Sequence, residues 1–284
     1  MNTNKFKWTN YHSHTQFSDG KGEAALYAES AIAHNMYAYG FSCHSPVPFN
    51  SGWNMKYENL LEYITTINKL KKKYSAQIKI FLGMEIDYIK DITGIKNFAH
   101  LNLDYTIGGV HFLGFFENGR AWDYDGGKPF YEKGLNELFG GDIKRLVKYY
   151  YQQINDMVIN EKPDVVAHLD LIKKYNKGNY FFNESEKWYQ DIVSETLKVL
   201  SENDSIVEIN TRGILKGLDH EFYPSNFIID QCKERNIKVC MSADTHHPND
   251  VMALLPEVKN LLTEKGFKEV FIFDEQAWHP IPIL

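Results

Sequence analysis

The chain has 284 residues, of which 43% are hydrophobic and 24% charged, a composition that excludes a disordered or fibrous protein. Its formal net charge of −6 provides no basic face for nucleic acid, and a small molecule is the simpler partner to expect. The sequence contains neither the apolar core of a signal peptide nor an apolar run that could span a bilayer, so we expect a cytoplasmic protein without a membrane partner.

Short apolar runs rich in β-branched residues alternate with longer amphipathic stretches. Repeated strand-then-helix units indicate a parallel sheet, and seven or eight in a row favour an α/β barrel over the alternative, a doubly wound open sheet. We expect one domain over residues 1–284, because barrels of this length form around one core.

In chain order, the predicted elements are a helix at about 23–35, a strand at 38–43, a helix at 56–74, strands at 78–86 and 103–110, a helix at 143–160, a strand at 163–169, a helix at 184–201, a strand at 205–210, a helix at 222–235, a strand at 237–243, a helix at 250–264 and a strand at 269–273.

One segment, residues 113–141, breaks this alternation, because it is glycine-rich, aromatic and acidic. It is too long for a strand-to-helix connection, which usually takes about 2–6 residues. The sequence therefore predicts an inserted loop over the barrel mouth, where Trp122, Asp123, Tyr124 and Asp125 would meet a cationic or aromatic substrate. The alternative is a surface excursion that packs on itself.

Two histidines separated by one residue, His12 and His14, lie at the end of the first strand. Residues two apart in a strand face the same side, so both imidazoles can reach one metal ion. Such a pair is a weak signal alone, but five later strands also end in a potential ligand, on the side where barrel enzymes build their active sites. These ligands are His44, Glu85, His111, His168, and Asp244 with His246, which places six of the 11 histidines at one rim.

The types of side chain at this rim indicate the kind of ion. Imidazoles and carboxylates without thiolates suit zinc, manganese or iron. The candidates exceed one coordination sphere, so we expect two or three divalent ions and no organic cofactor, with Glu85 as the bridging carboxylate. Clustered ions can hold a bridging hydroxide and bind the oxygens of a phosphoryl group, which predicts phosphoester hydrolysis.

Three further residues lie beside this rim by the strand pattern. Arg212 follows the strand at 205–210, where its guanidinium could bind two phosphate oxygens; a surface ion pair is the alternative. Asp87 and Asp170 share the faces of Glu85 and His168, respectively. They could orient metal ligands through hydrogen bonds, or they could cap the loops that follow.

Seven motifs in order resemble those of the polymerase-and-histidinol-phosphatase (PHP) superfamily. They are HSHTQFSDG, CHSPVPF, GMEIDY, GGVHFL, AHLDLIKKY, EINTRG and SADTHHP. The resemblance covers about residues 8–250 and is greatest to the monofunctional histidinol-phosphatases, because of the chain length and the long insertion after His111. It implies a distorted (β/α)7 barrel with a trinuclear metal centre at the C-terminal ends of the strands.

The resemblance also implies which side chains bind which ion. The implied sets are His12, His14, Glu85 and Asp244 for the first ion, Glu85, His111 and His168 for the second, and Asp19, His44 and His246 for the third. Some members of the superfamily have a histidine where Asp19 stands, so the third site here would have an oxygen ligand. Many members also have an aspartate just before the first histidine pair, where this chain has Asn10 and Tyr11.

By the same resemblance, the reaction would be hydrolysis of L-histidinol phosphate to L-histidinol and phosphate, in histidine biosynthesis. A metal-bridging hydroxide would attack phosphorus, with the metals and Arg212 stabilising the developing charge. Asp244 or His246 would pass a proton to the departing alkoxide, and both would act as catalytic residues together with Glu85.

The other end of the substrate, an imidazole and an ammonium group, would need aromatic and acidic partners. Asp123 and Asp125, in the segment 113–141, are the expected ones. Two alternatives remain at this stage. One is a phosphotyrosine-protein phosphatase or other phosphoesterase on the same scaffold, and the other is an inactive binding module, which would be expected to have lost metal ligands.

Overall fold

A computed structural model describes residues 6–218 and 220–284 of the chain. Its strands are β1 (Thr9–Asn10), β2 (Ala38–Phe41), β3 (Lys79–Asp87), β4 (Tyr105–Gly109), β5 (Phe112–Phe115), β6 (Ala121–Asp123), β7 (Val165–Val166), β8 (Ile206–Asn210), β9 (Lys238–Ser242), β10 (Glu269–Asp274) and β11 (Ala277–Pro282). Its α-helices are α1 (Ala24–Ala33), α2 (Leu60–Lys73), α3 (Lys128–Phe139), α4 (Ile143–Asn160), α5 (Lys187–Glu202), α6 (Arg212–Leu215), α7 (Asn226–Glu234) and α8 (Leu255–Glu264). None of the helices in these two ranges is long and apolar enough to cross a membrane.

Seven parallel strands form the central sheet, in the order β1-β2-β3-β4-β7-β8-β9. The backbone N–H of His14 donates to the carbonyl of Thr245 (2.8 Å), and that of Thr245 donates to the carbonyl of His12 (3.0 Å). These bonds join the residues just after β1 to those just after β9, so the sheet is a nearly closed barrel. The predicted seven-stranded α/β barrel is confirmed, and the doubly wound open sheet is excluded.

The predicted strand at 269–273 is not part of this barrel. It lies within β10, which pairs antiparallel with β11 through a turn in which Glu275 and Gln276 both have positive φ, of 50° and 69°. Two residues with positive φ match the twist of a tight hairpin, so β10 finds its partner locally. The short strand β1 occupies the place in the barrel instead.

The β10–β11 hairpin covers the end of the barrel opposite to the strand ends that carry the histidines. The ring of Trp278 packs 5.1 Å from that of Tyr11, and Phe273 packs 5.8 Å from Tyr105, the first residue of β4. The hydroxyl of Tyr11 also donates to the carbonyl of Phe273 (2.7 Å). An aromatic cluster of the described residues therefore closes the N-terminal end of the barrel.

The segment 113–141 is more regular than the inserted loop that the sequence predicted. It contains most of the antiparallel β5–β6 hairpin and the whole of α3. Trp122 and Tyr124, which the sequence placed against a substrate, are fully buried in the core, while the alternating residues Asp123 and Asp125 face a cavity. Alternate residues of a strand point to opposite sides, which separates the two aromatic residues from the two aspartates. The prediction that Trp122 and Tyr124 contact a substrate was therefore wrong.

Helix α3 can lie close to Trp122 because residue 134 is glycine. A Cβ atom at Gly134 would lie 1.9 Å from Cε2 of the Trp122 ring, and this ring is itself fully buried. Close approach, and not backbone flexibility, therefore requires glycine at this point of the helix.

We expect Gly134→Ala to lower the free energy of unfolding by about 1–3 kcal/mol, because the added methyl group overpacks the core. The direction of this change distinguishes overpacking from helix propensity, because replacing glycine by alanine in a helix normally raises the free energy of unfolding, by up to about 1 kcal/mol. Urea unfolding followed by circular dichroism measures the change. Gly52→Ala is the control, because a Cβ there meets nothing within 4 Å. An unchanged or raised stability of Gly134→Ala would contradict the packing described.

Candidate metal centre

The nine side chains expected at the barrel rim lie together at the C-terminal ends of the strands. Parallel strands in a barrel end on the same side, so residues distant in sequence meet there. Seven of the nine are buried, and Asp19 and His246 are half-buried at the cavity side. The nine residues are His12, His14, Asp19, His44, Glu85, His111, His168, Asp244 and His246.

Glu85, on β3, lies between two groups of histidines. Its Oε2 atom is 3.1 Å from Nε2 of His12 and 2.8 Å from Nδ1 of His44. Its Oε1 atom is 3.1 Å from Nε2 of His168 and 3.6 Å from Nε2 of His111. The two oxygens of this fully buried carboxylate therefore face different sets of ligand atoms, which is the geometry of a bridge.

Within the described residues, the ligand atoms form three overlapping groups, each spanning no more than 4.8 Å. The groups are His12, His14 and Asp244; His44, Glu85 and His111; and His14, Asp19, His44 and His246. His168 adjoins the second group, since its Nε2 lies 3.2 Å from that of His111. These groups overlap more than the sets implied by the resemblance, because His14 and His44 each belong to two of them.

Many of these atoms are buried without a hydrogen-bond partner in the described part of the chain, although other polar atoms lie close. A buried polar atom left unpaired costs about 1–3 kcal/mol, so such a concentration needs an explanation. Nitrogen and oxygen lone pairs that converge on shared points are what a divalent cation requires, and the residues fit this group. The atoms are Nε2 of His12, both ring nitrogens of His14, Oδ1 of Asp19, Nδ1 of His44, Oε2 of Glu85 and Oδ1 of Asp244.

The electrostatics of the centre are consistent with cation binding. Burial, together with repulsion from His44 and His246, lowers the pKa of His14 to about 3, so its imidazole is neutral and can act as a ligand. Burial lowers the pKa of His111 too, but attraction by Asp87 and Glu85 outweighs it and raises that pKa to about 10. A divalent ion in contact with this histidine would displace its proton, because metal binding and ligand protonation compete.

Two carboxylates behind the ligands hold histidines by their other ring nitrogen. Asp87 Oδ1 lies 2.7 Å from Nδ1 of His111, as the face shared with Glu85 predicted. Glu208, on β8, lies 2.6 Å from Nδ1 of His12 and was not among the residues predicted from the sequence. The sequence signal for Glu208 was a glutamate flanked by apolar residues within a strand, Val207 and Ile209, where a buried charge needs a nearby partner.

Within the described residues, neither ring nitrogen of His168 is paired with Asp170, because Nδ1 has no hydrogen-bond partner and Nε2 faces Glu85. Oδ2 of Asp170 accepts a hydrogen bond from the backbone N–H of Ser225 (2.8 Å) and lies 3.4 Å from Nζ of the buried Lys173. Asp170 thus joins the loop after β7 to the start of α7.

A cavity of about 220 Å³ lies above the ligand groups. Arg212 forms part of its wall next to Asp244, because Nη1 of the guanidinium donates to the Asp244 carbonyl (3.2 Å). The backbone N–H of Arg212 donates to Oδ1 of Asn210 (2.8 Å), which fixes the start of α6 at the barrel rim. One cationic side chain is therefore held at the edge of the candidate metal centre.

Asp123 and Asp125 also line this cavity, in different electrostatic environments. Oδ2 of Asp125 lies 3.2 Å from Nζ of Lys174, and this attraction outweighs burial and lowers the Asp125 pKa. Oδ2 of Asp123 accepts a hydrogen bond from the Trp53 indole (3.3 Å), but burial and repulsion from Asp125 raise the Asp123 pKa. Trp53, which the sequence analysis also missed, stacks on Phe112 at 5.2 Å.

Comparisons with known proteins agree with this architecture. The crystal structure of histidinol phosphate phosphatase from Lactococcus lactis, complexed with zinc, L-histidinol and phosphate, superposes with a TM-score of 0.72. The superposed region comprises 96% of this chain and 99% of the Lactococcus lactis chain, with 21% sequence identity, so the two proteins share the fold.

Two relatives match in sequence over most of their own length. The histidinol-phosphatase of Bacillus subtilis is 29% identical over 259 residues, which are 84% of this chain and 94% of the relative. The histidinol-phosphatase of Lactococcus lactis is 27% identical over 273 residues, 94% of each chain. The family model of the PHP domain matches residues 10–212, well over half of the sequence. The chain therefore belongs to the PHP domain family.

Proposed function

We propose that this PHP-family phosphoesterase hydrolyses L-histidinol phosphate to L-histidinol and phosphate, using two or three divalent zinc, manganese or iron ions. The observation that carries the proposal is the position of Glu85, whose two oxygens face separate groups of imidazoles at the floor of a cavity. Support for the substrate comes from the two relatives named histidinol-phosphatase and from the bound L-histidinol and phosphate in the Lactococcus lactis structure.

The phosphate end of the substrate belongs at the floor of the cavity. Divalent ions held by the nine rim residues would supply an activated water and neutralise charge on the phosphoryl oxygens. Arg212 is held by the Asp244 carbonyl, so its guanidinium is oriented at the cavity wall before a phosphate arrives. Preorganised donors of this kind stabilise developing negative charge at little cost in reorganisation. Asp244 and His246 both line the cavity and are the candidates for passing a proton to the leaving alkoxide.

The opposite end of the substrate carries an imidazole and an ammonium group, and Asp123 and Asp125 in the cavity lining offer acidic partners. The Asp125 carboxylate is already paired with Lys174. Asp123 is partly buried, and its hydrogen-bond partner is a neutral donor, the Trp53 indole, so its carboxylate is available to a cationic group. We therefore assign the ammonium to Asp123, with Asp125 as a more distant contributor of negative charge.

The size of the cavity favours this substrate over a phosphotyrosine protein. Pockets for drug-sized ligands usually have about 300–1,000 Å³, and this cavity has about 220 Å³. Residues near the β5–β6 hairpin and the loop around Trp53 line it on one side, so a peptide backbone would have to displace them. A compact phosphorylated amino alcohol requires no such movement.

We expect phosphate release from L-histidinol phosphate to be much faster than from a phosphotyrosine peptide or an aryl phosphate, in terms of kcat/KM. Chelation should abolish this activity, and added zinc or manganese should restore it, because the buried ligand groups need a cation. All three substrates are assayed with the same protein preparation, whose metal content has been measured. A metal-loaded protein that preferred the phosphotyrosine peptide would overturn the substrate assignment and leave the metal centre intact.

Two variants separate metal binding from phosphate binding. Glu85→Gln should lose both bound metal and activity, because a neutral amide replaces the carboxylate that faces two groups of imidazoles. Arg212→Ala should keep the wild-type metal content and raise KM, because only the phosphate loses a partner. Metal analysis by mass spectrometry and steady-state kinetics measure both. Full activity of Arg212→Ala would discard the phosphate role of this arginine.

Asp123→Asn tests recognition of the ammonium group. A hydrogen bond to a charged group contributes about 1.5–3 kcal/mol, so KM for L-histidinol phosphate should rise by roughly 10-fold to 100-fold. KM for an aryl phosphate, which has no ammonium, should stay unchanged. Asp191→Asn is the matched control, since Asp191 is exposed on α5 and pairs with Lys187. Equal KM values for Asp123→Asn and wild type would exclude this contact.

A further inference from the structure

Glu208 lies behind the candidate metal centre and takes part in three hydrogen bonds there. Its side chain is fully buried, and it is absent from the described residues that line the cavity. Oε1 lies 2.6 Å from Nδ1 of His12. Oε2 accepts a hydrogen bond from the backbone N–H of His168 (2.9 Å) and another from Nδ2 of Asn210 (2.9 Å). One carboxylate is thereby connected to two proposed metal ligands at once.

The contact with His12 decides which ring nitrogen is available to an ion. A carboxylate only accepts hydrogen bonds, so the proton of the neutral imidazole must be on Nδ1. The lone pair of Nε2 then faces the centre, where this atom lies 3.1 Å from Oε2 of Glu85 and 3.8 Å from Oδ1 of Asp244. Hydrogen bonds of this kind fix the tautomer and the ring orientation of metal-binding histidines.

The other oxygen of Glu208, Oε2, accepts a hydrogen bond from the backbone of His168, which is held in an unfavourable conformation. Sheet order places β8 between β7 and β9, and the ligands that follow those neighbours, His168 and Asp244, have positive φ of 24° and 46°. Residues other than glycine persist in this region only where their surroundings determine the conformation. Glu208 accepts the N–H of His168, and Asn210, two residues along the same face of β8, donates to both Glu208 and Oδ2 of Asp244 (3.2 Å).

We infer that Glu208 is a positioning residue of the metal centre, which fixes Nε2 of His12 as a ligand atom and holds the backbone of His168 through one carboxylate. This inference rests on the proposed metal-dependent function, because it concerns the same ions. It adds a residue outside the nine rim ligands, and its effect on the reaction passes entirely through the residues it orients.

The substitution Glu208→Gln tests this role with almost no change in volume. An amide has one acceptor oxygen and one donor nitrogen, whereas His12, His168 and Asn210 all present donors to Glu208. The amide nitrogen must therefore face a donor, or else force the proton of His12 onto Nε2. A proton forced onto Nε2 of His12 weakens the ion bound by His12, His14 and Asp244. An amide nitrogen that faces the N–H of His168 instead displaces His168, which adjoins Glu85 and His111. Neither outcome acts directly on Asp19 or His246.

We expect Glu208→Gln to lower the affinity for one of the bound ions by about 10-fold to 100-fold, the usual effect of removing such a partner. Competition of zinc with a chromophoric chelator measures the affinity and the number of sites without any turnover. Glu161→Gln is the matched control, because Glu161 also accepts a backbone hydrogen bond, from Lys96, away from the ligand groups. An affinity and ion count equal to those of wild type would overturn the inference.

The same measurement separates this inference from the proposed function. Wild-type protein that bound no divalent ion would end the proposed function and, with it, the basis for the role of Glu208. Wild-type protein that bound ions but ignored L-histidinol phosphate would lose only its substrate assignment. Metal-dependent activity in wild type with an unaltered Glu208→Gln variant would remove the positioning role alone.

A measurement on the wild-type protein decides the case if Glu208→Gln does not fold. The protein is loaded with NMR-active cadmium and contains nitrogen-labelled histidine. We expect scalar coupling between cadmium and Nε2 of His12, with a slowly exchanging proton on Nδ1, the atom 2.6 Å from Glu208. Coupling to Nδ1 would show that the ring is turned round and would overturn the inference.

Discussion

The buried carboxylate of Glu85 is the constraint on which the rest of the structure depends. Its side chain has no exposure to water, and an isolated charge in such a place would cost several kcal/mol or change its protonation state. Burial raises the pKa of Glu85, but attraction by His44, His12 and His111 outweighs burial and holds that pKa well below its usual range. The barrel must therefore surround this residue with cationic partners, either imidazolium groups or metal ions.

The barrel meets this requirement through its topology. Successive parallel strands end on one side, so all of them except β8 are followed by, or contain, at least one of the nine ligands. The bonds between the segments after β1 and β9 bring His12 and His14 next to Asp244. Supporting residues come from the same strands: Asp87 follows Glu85 on β3, and Glu208 lies on β8 between the strands that precede His168 and Asp244. Ligands and their supports are thus fixed by the same hydrogen-bonded ladder.

The barrel and the composition of the rim could be predicted from sequence, because both depend on local alternation and on chemistry at strand ends. His14 illustrates the limit, since its membership of two ligand groups depends on side-chain geometry that no spacing encodes. The strand at 269–273 was placed wrongly because an apolar alternation does not specify its partner, which a two-residue turn provided here. Helix α3 was missed because glycines and aromatics obscured the spacing of Tyr131, Leu135 and Phe139, which are buried on one helical face.

The aromatic closure by the β10–β11 hairpin has a consequence for protein engineering and for divergence within a family. Rings from the hairpin, such as Trp278, contact Tyr11, whose neighbour His12 points to the other end of the barrel. Substitutions in the hairpin can therefore change thermal stability without touching the candidate metal centre. Substitutions in the loops at the C-terminal end of the barrel can change which substrate is bound. The two ends of one small barrel can accumulate substitutions under separate selection, provided that the short strand β1 between them keeps its register.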